Sequence, residues 1–132
     1  MAVKKQLSVF LENRPGMLAR TCSTLSENGV NILALSIHDT VDHAVVRFFV
    51  DNPTKALLLL EQEGFYVLEQ DIVVLDVENT PGVLTEIAQH LAQADINIDY
   101  AYCTATDSQA HGCLVLKVAN PERADEVLSE FT

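Results

Sequence analysis

A chain of 132 residues carrying a net charge of −11, with eight Lys and Arg against 19 Asp and Glu, offers no clustered cations for a nucleic acid or an anionic membrane. No run approaches membrane-spanning length, and Met1-Ala2-Val3-Lys4-Lys5 lacks the apolar stretch of a signal peptide, so a soluble, cytoplasmic protein is expected. Three cysteines, an odd number, suit a reducing compartment better than a disulfide framework.

Residues 6–12 alternate Leu7, Val9 and Leu11 against Gln6, Ser8 and Phe10, the period of a strand. An Asn-x-Pro-Gly turn follows, with Pro15 suited to the first helical position because its missing N–H would be unpaired there anyway. Leu18, Cys22 and Leu25 then keep helical spacing, and Gly29 can adopt the left-handed conformation that ends a helix. Residues 31–39 and 44–50 read as a hairpin around Thr40-Val41-Asp42, in a register that pairs Leu33 with Phe49 and Ile37 with Val45. A second helix spans about 53–62 with Gly64 as its stop, and residues 66–70 form a fourth strand leading directly into Asp71-Ile72-Val73-Val74-Leu75-Asp76.

There the chain begins again. Glu12-Asn13-Arg14-Pro15-Gly16-Met17-Leu18 returns 66 positions later as Glu78-Asn79-Thr80-Pro81-Gly82-Val83-Leu84, and Gly29-Val30-Asn31-Ile32 returns as Asp95-Ile96-Asn97-Ile98. Thr80 is a good N-cap, Pro81 repeats the role of Pro15, Leu84, Ile87, Ala88 and Leu91 line a helix, and Asp95 replaces Gly29. The second hairpin is two residues longer and would pair Asp99 with Lys117, while Cys103 and Cys113 either face each other across it or pack as ordinary sheet residues. A final helix runs from Pro121 to about Phe131, with no residues left for a fourth strand.

The expected fold class is α+β: two ferredoxin-like βαββαβ units, residues 1–70 and 71–132, each with an antiparallel sheet and helices on one face, the second lacking strand four. Units of about 65 residues bury only about 60% of their unfolded surface, so an intimate pair inside a larger assembly is expected. The open edge of the second unit would stay bare or be covered by another chain. If Ile32, Ala34, Val46, Phe48 and Val50 face the helices, then Leu33, Leu35, Ile37, Val45 and Phe49 make the opposite face too apolar for water, which marks the first unit as the main oligomer contact. Leu57 and Leu58, where the second copy has Asp125 and Glu126, extend that difference.

A helix N-terminus presents unpaired N–H groups and a positive dipole end to an anion, and Gly16 and Gly82 leave room for close approach. Asn13 and Asn79 precede the turns; Asn31 and Asn97, 18 residues later, are expected beside the end of the first strand. Two amides at one mouth could serve both the carboxylate and the ammonium of a zwitterion, or merely satisfy the turn backbone.

Asn-x-Pro-Gly-x-Leu, followed 18 residues after its Asn by Gly-Val-Asn-Ile within a βαββαβ unit and then duplicated, resembles the ACT domain in tandem over nearly the whole chain. The resemblance implies a regulatory module that binds an amino acid or similar metabolite between paired ACT units and acts on a separate enzyme, with a homo-oligomer of at least two chains. It implies ligand contacts at Asn13, Gly16, Met17, Asn31 and Ile32 and at Asn79, Gly82, Val83, Asn97 and Ile98. Serine-sensing members carry a His two residues before the first Asn; Leu11 and Val77 stand there in this chain, which favours a more apolar ligand.

No P-loop, Ser/His/Asp signature or Cys-x-x-Cys spacing supports an enzyme, and no catalytic residue, metal or cofactor is expected. His38, Asp39, Asp42 and His43 gather at one hairpin tip, where a solvated turn is the simpler reading; His90 and His111 lie off any catalytic pattern. The competing reading is a structural ACT pair that oligomerises without a ligand.

Overall fold

The computed structural model describes residues 2–39 and 42–131. In chain order the elements are β1 (Val3–Glu12), α1 (Met17–Ser26), β2 (Ile32–Asp39), β3 (His43–Val50), α2 (Pro53–Gln62), β4 (Tyr66–Glu78), α3 (Val83–Gln93), β5 (Ile98–Thr104), β6 (His111–Val118), α4 (Pro121–Val127) and a 3-10 turn, Ser129–Phe131. Thr40 and Val41, expected at the first hairpin turn, lie outside the described residues.

The chain divides into two compact units, Lys5–Gln70 and the residues from Asp71 onward joined by the first few residues up to Lys4. In Lys5–Gln70 the strands lie in the order β2-β3-β1-β4, the ferredoxin-like arrangement. Leu7, Val9 and Leu11 of β1 pack with Val46, Phe48 and Val50 of β3 beneath Met17, Leu25, Ala56 and Leu60 of the helices. Each such aliphatic or aromatic side chain, fully withdrawn from water, contributes about 1.5–3 kcal/mol.

The other unit repeats the order with β5-β6-β4, and its fourth lane is filled from the far end of the sequence. Val74 N–H donates to Ala2 O at 2.8 Å. Ala2 N–H in turn donates to Asp125 Oδ1 of α4 at 3.3 Å. Ala2 is 8% exposed and belongs to the core of Val73, Leu75, Ile87, Leu91, Leu116 and Leu128. Among the described residues no fourth strand follows α4, as expected, and the lane it would take is met by the start of β1, whose first residues serve a different unit from the rest of it.

Both first helices begin later than the prolines suggest. Pro15 and Gly16 are the central residues of a turn closed by Met17 N–H to Arg14 O at 3.4 Å. Gly16 has φ 88 and ψ −12, and Gly82 φ 93 and ψ −13, the third-residue geometry of a type II turn, so each glycine and not Thr80 or a proline precedes the helix. Proline at the first helical position does hold for Pro53 and Pro121, where Asn52 and Asn120 accept the capping bonds. The late start rotates the buried stripe to Met17, Thr21 and Leu25 on α1 and to Ile87 and Leu91 on α3. Leu84, expected in that stripe, is 51% exposed. Gly29 at φ 78 and Asp95 at φ 57 end these helices as expected.

The hairpin registers differ from expectation by one residue, through the same irregularity in each copy. Ile32 pairs with Val50, but beyond Leu33 the register slips so that Ala34 pairs with Phe49 and Ile37 with Val46. Ile98 pairs with Val118, but beyond Asp99 it is Tyr100 that faces Lys117. A bulge thus recurs at Leu33 and Asp99, and one extra residue moves every later side chain to the other face. Ala34 accordingly leaves the helix face, and Leu35 and Ile37, aligned with Phe48 and Val46, join it. Leu35 and Ile37 nevertheless remain 38% and 49% exposed at the strand edge, beside Leu33 at 44%. In the second hairpin Cys113 faces Thr104 and Cys103 faces Leu114, so the two thiols belong to opposite sheet faces. Burial raises the Cys113 thiol pKa, helped by Asp76 and Cys103, and burial also raises that of Cys22, which packs against the first core.

Candidate functional site

The repeated turns stand where each unit's first strand ends. Asn13 N–H reaches Asp42 O at 3.3 Å and its side-chain amide donates to Asp39 Oδ1 at 2.6 Å. In the second copy Asn79 N–H donates to Ala110 O at 2.8 Å. The Asn79 side-chain amide donates to Thr106 O at 2.8 Å and to Gln109 O at 3.1 Å. Each asparagine therefore braces the hairpin loop beside it, and Asn79 spends both amide protons doing so, leaving its Oδ1 as an acceptor.

The turn glycines are exposed at the heads of α1 and α3, and neither Gly16 nor Gly82 carries a side-chain capping bond. Among the described residues no side chain thus caps either head, and α1 has no acidic residue in its first turn. Met17 is buried in the core just below, and Val83 is half-buried.

Asn31 and Asn97 do not join these turns within a unit. Asn31 N–H donates to Asp51 Oδ1 at 3.0 Å and its carbonyl accepts from Asp51 N–H at 3.1 Å, at the end of β3. Glu12 pairs with His43 at the other end of that strand. At about 3.3 Å per residue along β2, the two asparagines of one unit are separated by roughly 25 Å. The reason is topological: a helix that crosses between parallel strands returns the chain to the starting end of the sheet, so a residue that opens β2 lies beside the beginning of β1. Asn97, with its amide 3.4 Å from Asp99 Oδ1, lines a recess of about 260 Å³ with Asp95, Ile96, Asn120 and Arg123. Arg123 closes that end by donating to Ala94 O at 2.7 Å. Ile32 and Ile98 are half-buried beside these asparagines.

At the second turn the structure adds residues that the repeat does not single out. A recess of about 90 Å³ lies among Val77, Asn79, Thr80, Leu84, Cys103 and Gly112. Gly112 is confined there, since a Cβ would lie 2.7 Å from Thr104 O. The exposed Leu84 and the apolar Val77 give the recess a greasy wall, while Asn79 and Thr80 give it a polar one. The sequence feature that could have singled it out is the two-residue insertion in the second hairpin, which supplies the loop that Asn79 holds. Of the histidine cluster, Asp39 is committed to Asn13, and no metal-holding group occurs among the described residues.

Comparison with known proteins agrees with this architecture. A search among curated proteins finds no match. Protein BT0572 from Bacteroides thetaiotaomicron is 32% identical, with 98% of this chain and 88% of that one covered at a TM-score of 0.90. The regulatory subunit of aspartate kinase from Thermus thermophilus, in a ligand-free form, shares the fold at 20% identity and a TM-score of 0.69, with 98% and 97% covered. The corresponding subunit from Thermus flavus does so at 20% and 0.65, with 98% and 96% covered. The family model for the ACT domain pair matches residues 1–131, so the chain, with its two ferredoxin-like units and repeated turns, belongs to the ACT domain pair family.

Proposed function

We propose that this chain is a non-catalytic regulatory module that binds a free amino acid, of apolar rather than serine-like side chain, and transmits its presence to a separate enzyme. The observation that carries the reading is the recess at the second Asn-x-Pro-Gly turn, bordered by Asn79 and Thr80 on a polar side and by Val77 and Leu84 on an apolar one, close in sequence to the helix start at Gly82, which has no side-chain cap. A carboxylate suits the head of α3, an ammonium suits the Asn79 Oδ1, and a short apolar side chain suits Val77 and Leu84. The regulatory subunits of aspartate kinase that share the fold support the regulatory class.

Because the two asparagine classes occupy opposite ends of a unit, one ligand touches both only where the turn end of one unit meets the strand-start end of another. A second copy of the chain provides such a meeting, and the exposed Leu33, Leu35 and Ile37 on the β2 edge give copies a reason to associate. The structural reading, a pair that assembles without ligand, draws on one observation, that Asn79 already has a full bracing role.

Thermal denaturation with each of the twenty amino acids at millimolar concentration separates the two. A ligand at 100 times its Kd stabilises by about 2.7 kcal/mol, a readily visible shift. An apolar amino acid should raise the melting temperature of the native chain and not that of Leu84→Asp. No shift with any amino acid would leave only the structural reading.

A further inference from the structure

We infer that only the second of the two repeated turns takes the ligand, and that Cys103 sets how large a side chain enters, an inference that rests on the amino-acid reading of that turn. The two copies place the same positions around their turns. Val77 faces Gly112 across β4 and β6 as Leu11 faces Ala44 across β1 and β3. Cys103 faces Leu114 as Ile37 faces Val46. Val77, Gly112 and Cys103 line the recess, and at each of these positions the first copy carries the larger residue: Leu11, Ala44 and Ile37. A recess of about 90 Å³ is closed by a few added carbons, and an apolar site that small discriminates between ligands by single methylenes.

The helices carry the same difference. Leu84 stands 51% exposed beside the recess, whereas Leu18, its counterpart on α1, packs against the first core. Gly112 lets the end of β5 close in, since a Cβ there would lie 2.7 Å from Thr104 O and 3.2 Å from Ala105 Cβ. Charge separates the two turns as well. Ala105 lines the recess, and its counterpart at the repeat offset is Asp39, whose carboxylate accepts the Asn13 amide at 2.6 Å and brings a like charge to any carboxylate arriving at the first turn. Arg14 and Arg20 are already paired, with Glu12 at 2.8 Å and Glu63 at 3.4 Å. Glu86, the acid in the first turn of α3, borders a different recess. Both copies keep the asparagine that braces a hairpin, and the second alone combines it with small lining residues.

The probes are alanine, valine, leucine and phenylalanine, each titrated into the full chain by calorimetry and followed by thermal melting. One site per chain is expected, filled by at least one of the smaller three, with phenylalanine at least about tenfold weaker. Cys103→Ile installs the first copy's residue at an exposed strand position that suits a β-branched side chain, so it should keep the ligand-free melting temperature and weaken binding at least about tenfold. Cys103→Ala should raise the affinity for phenylalanine by a similar factor, a gain that damage to the fold does not produce. Two equivalent sites per chain, phenylalanine binding as tightly as the smaller three, full affinity in Cys103→Ile, or an unchanged size preference in Cys103→Ala would each overturn the inference and leave ligand binding standing. Neither heat nor a melting shift with any of the four would overturn it together with the apolar amino-acid reading.

Discussion

Replacing Asn79 by Ala and by Asp tests whether the repeated asparagine is first a brace. The native amide gives one proton to Thr106 O at 2.8 Å and the other to Gln109 O at 3.1 Å. Net contributions of about 0.5–1.5 kcal/mol per bond put Asn79→Ala at about 1–2 kcal/mol, the lower part being apt for an exposed residue. For a chain of this size that is a fall of about 2–8 °C in melting temperature. Asn79→Asp is nearly isosteric yet should cost about 1 kcal/mol more than Ala at pH 7, because an acceptor-only carboxylate then faces two carbonyl oxygens. Those carbonyls disfavour the charged form and raise the folded pKa of the introduced carboxyl above its unfolded value of about 3.9. The added penalty is therefore complete above the raised folded pKa and fades as pH falls through it toward about 3.9, where the protonated acid can donate one of the lost bonds. Thermal melts of the three proteins between pH 7 and pH 3.5 check this. A gap between the Asp and Ala variants that is absent at pH 7, or that does not narrow in acid, would refute the bracing geometry.

Deleting residues 1–4 should leave the amides of β1, β3 and α2 in Lys5–Gln70 protected from hydrogen exchange while those of Val73 to Val77 and of β6 lose protection by tenfold or more; uniform loss would mean that the first residues matter equally to both units. His90 has Nδ1 2.8 Å from Glu86 O and Nε2 2.5 Å from Glu130 Oε1, so both nitrogens face acceptors and the protonated ring suits both. The Glu86 carbonyl, chiefly, and the Glu130 carboxylate raise its pKa against an opposing effect of desolvation. The stability this clamp adds is complete below the unfolded value of about 6.5 and is lost as pH rises through the raised folded value. His90→Gln should accordingly lower the melting temperature at pH 5.5 and leave it nearly unchanged at pH 9, and an equal effect at both would deny the ring its charge.

The repeat made the two units and their element order readable, because turn residues and helix-face leucines recur at one offset. Strand polarity was readable in principle, yet spacing along the chain placed Asn31 beside Asn13, and only the direction of the crossover puts them at opposite ends. The bulges were not readable. Leu33 and Asp99 share no chemistry, and the alternation around Leu33 looks unbroken until pairing with β3 reveals the extra residue. Nor did the first residues announce their role, since Ala2-Val3-Lys4 continues into a strand whose pattern belongs to the other core. The recess at Leu84 depends on how far α3 is rotated, which follows from the turn type at Pro81-Gly82 rather than from helical spacing.

The Ala2–Asp125 contact joins positions 123 apart. During synthesis the residues that take the last lane are therefore made before the rest of the unit they join. At about 5–20 residues per second, β1 can enter its own unit once Gln70 has emerged, while Ala2 waits roughly a further 3–12 s for the α4 that will hold it. Until then Ala2 lacks Asp125, one of the two partners that later hold it. Slowing synthesis between Gln70 and α4 should lengthen that wait without delaying closure of Lys5–Gln70, which would separate the two units in time on the ribosome.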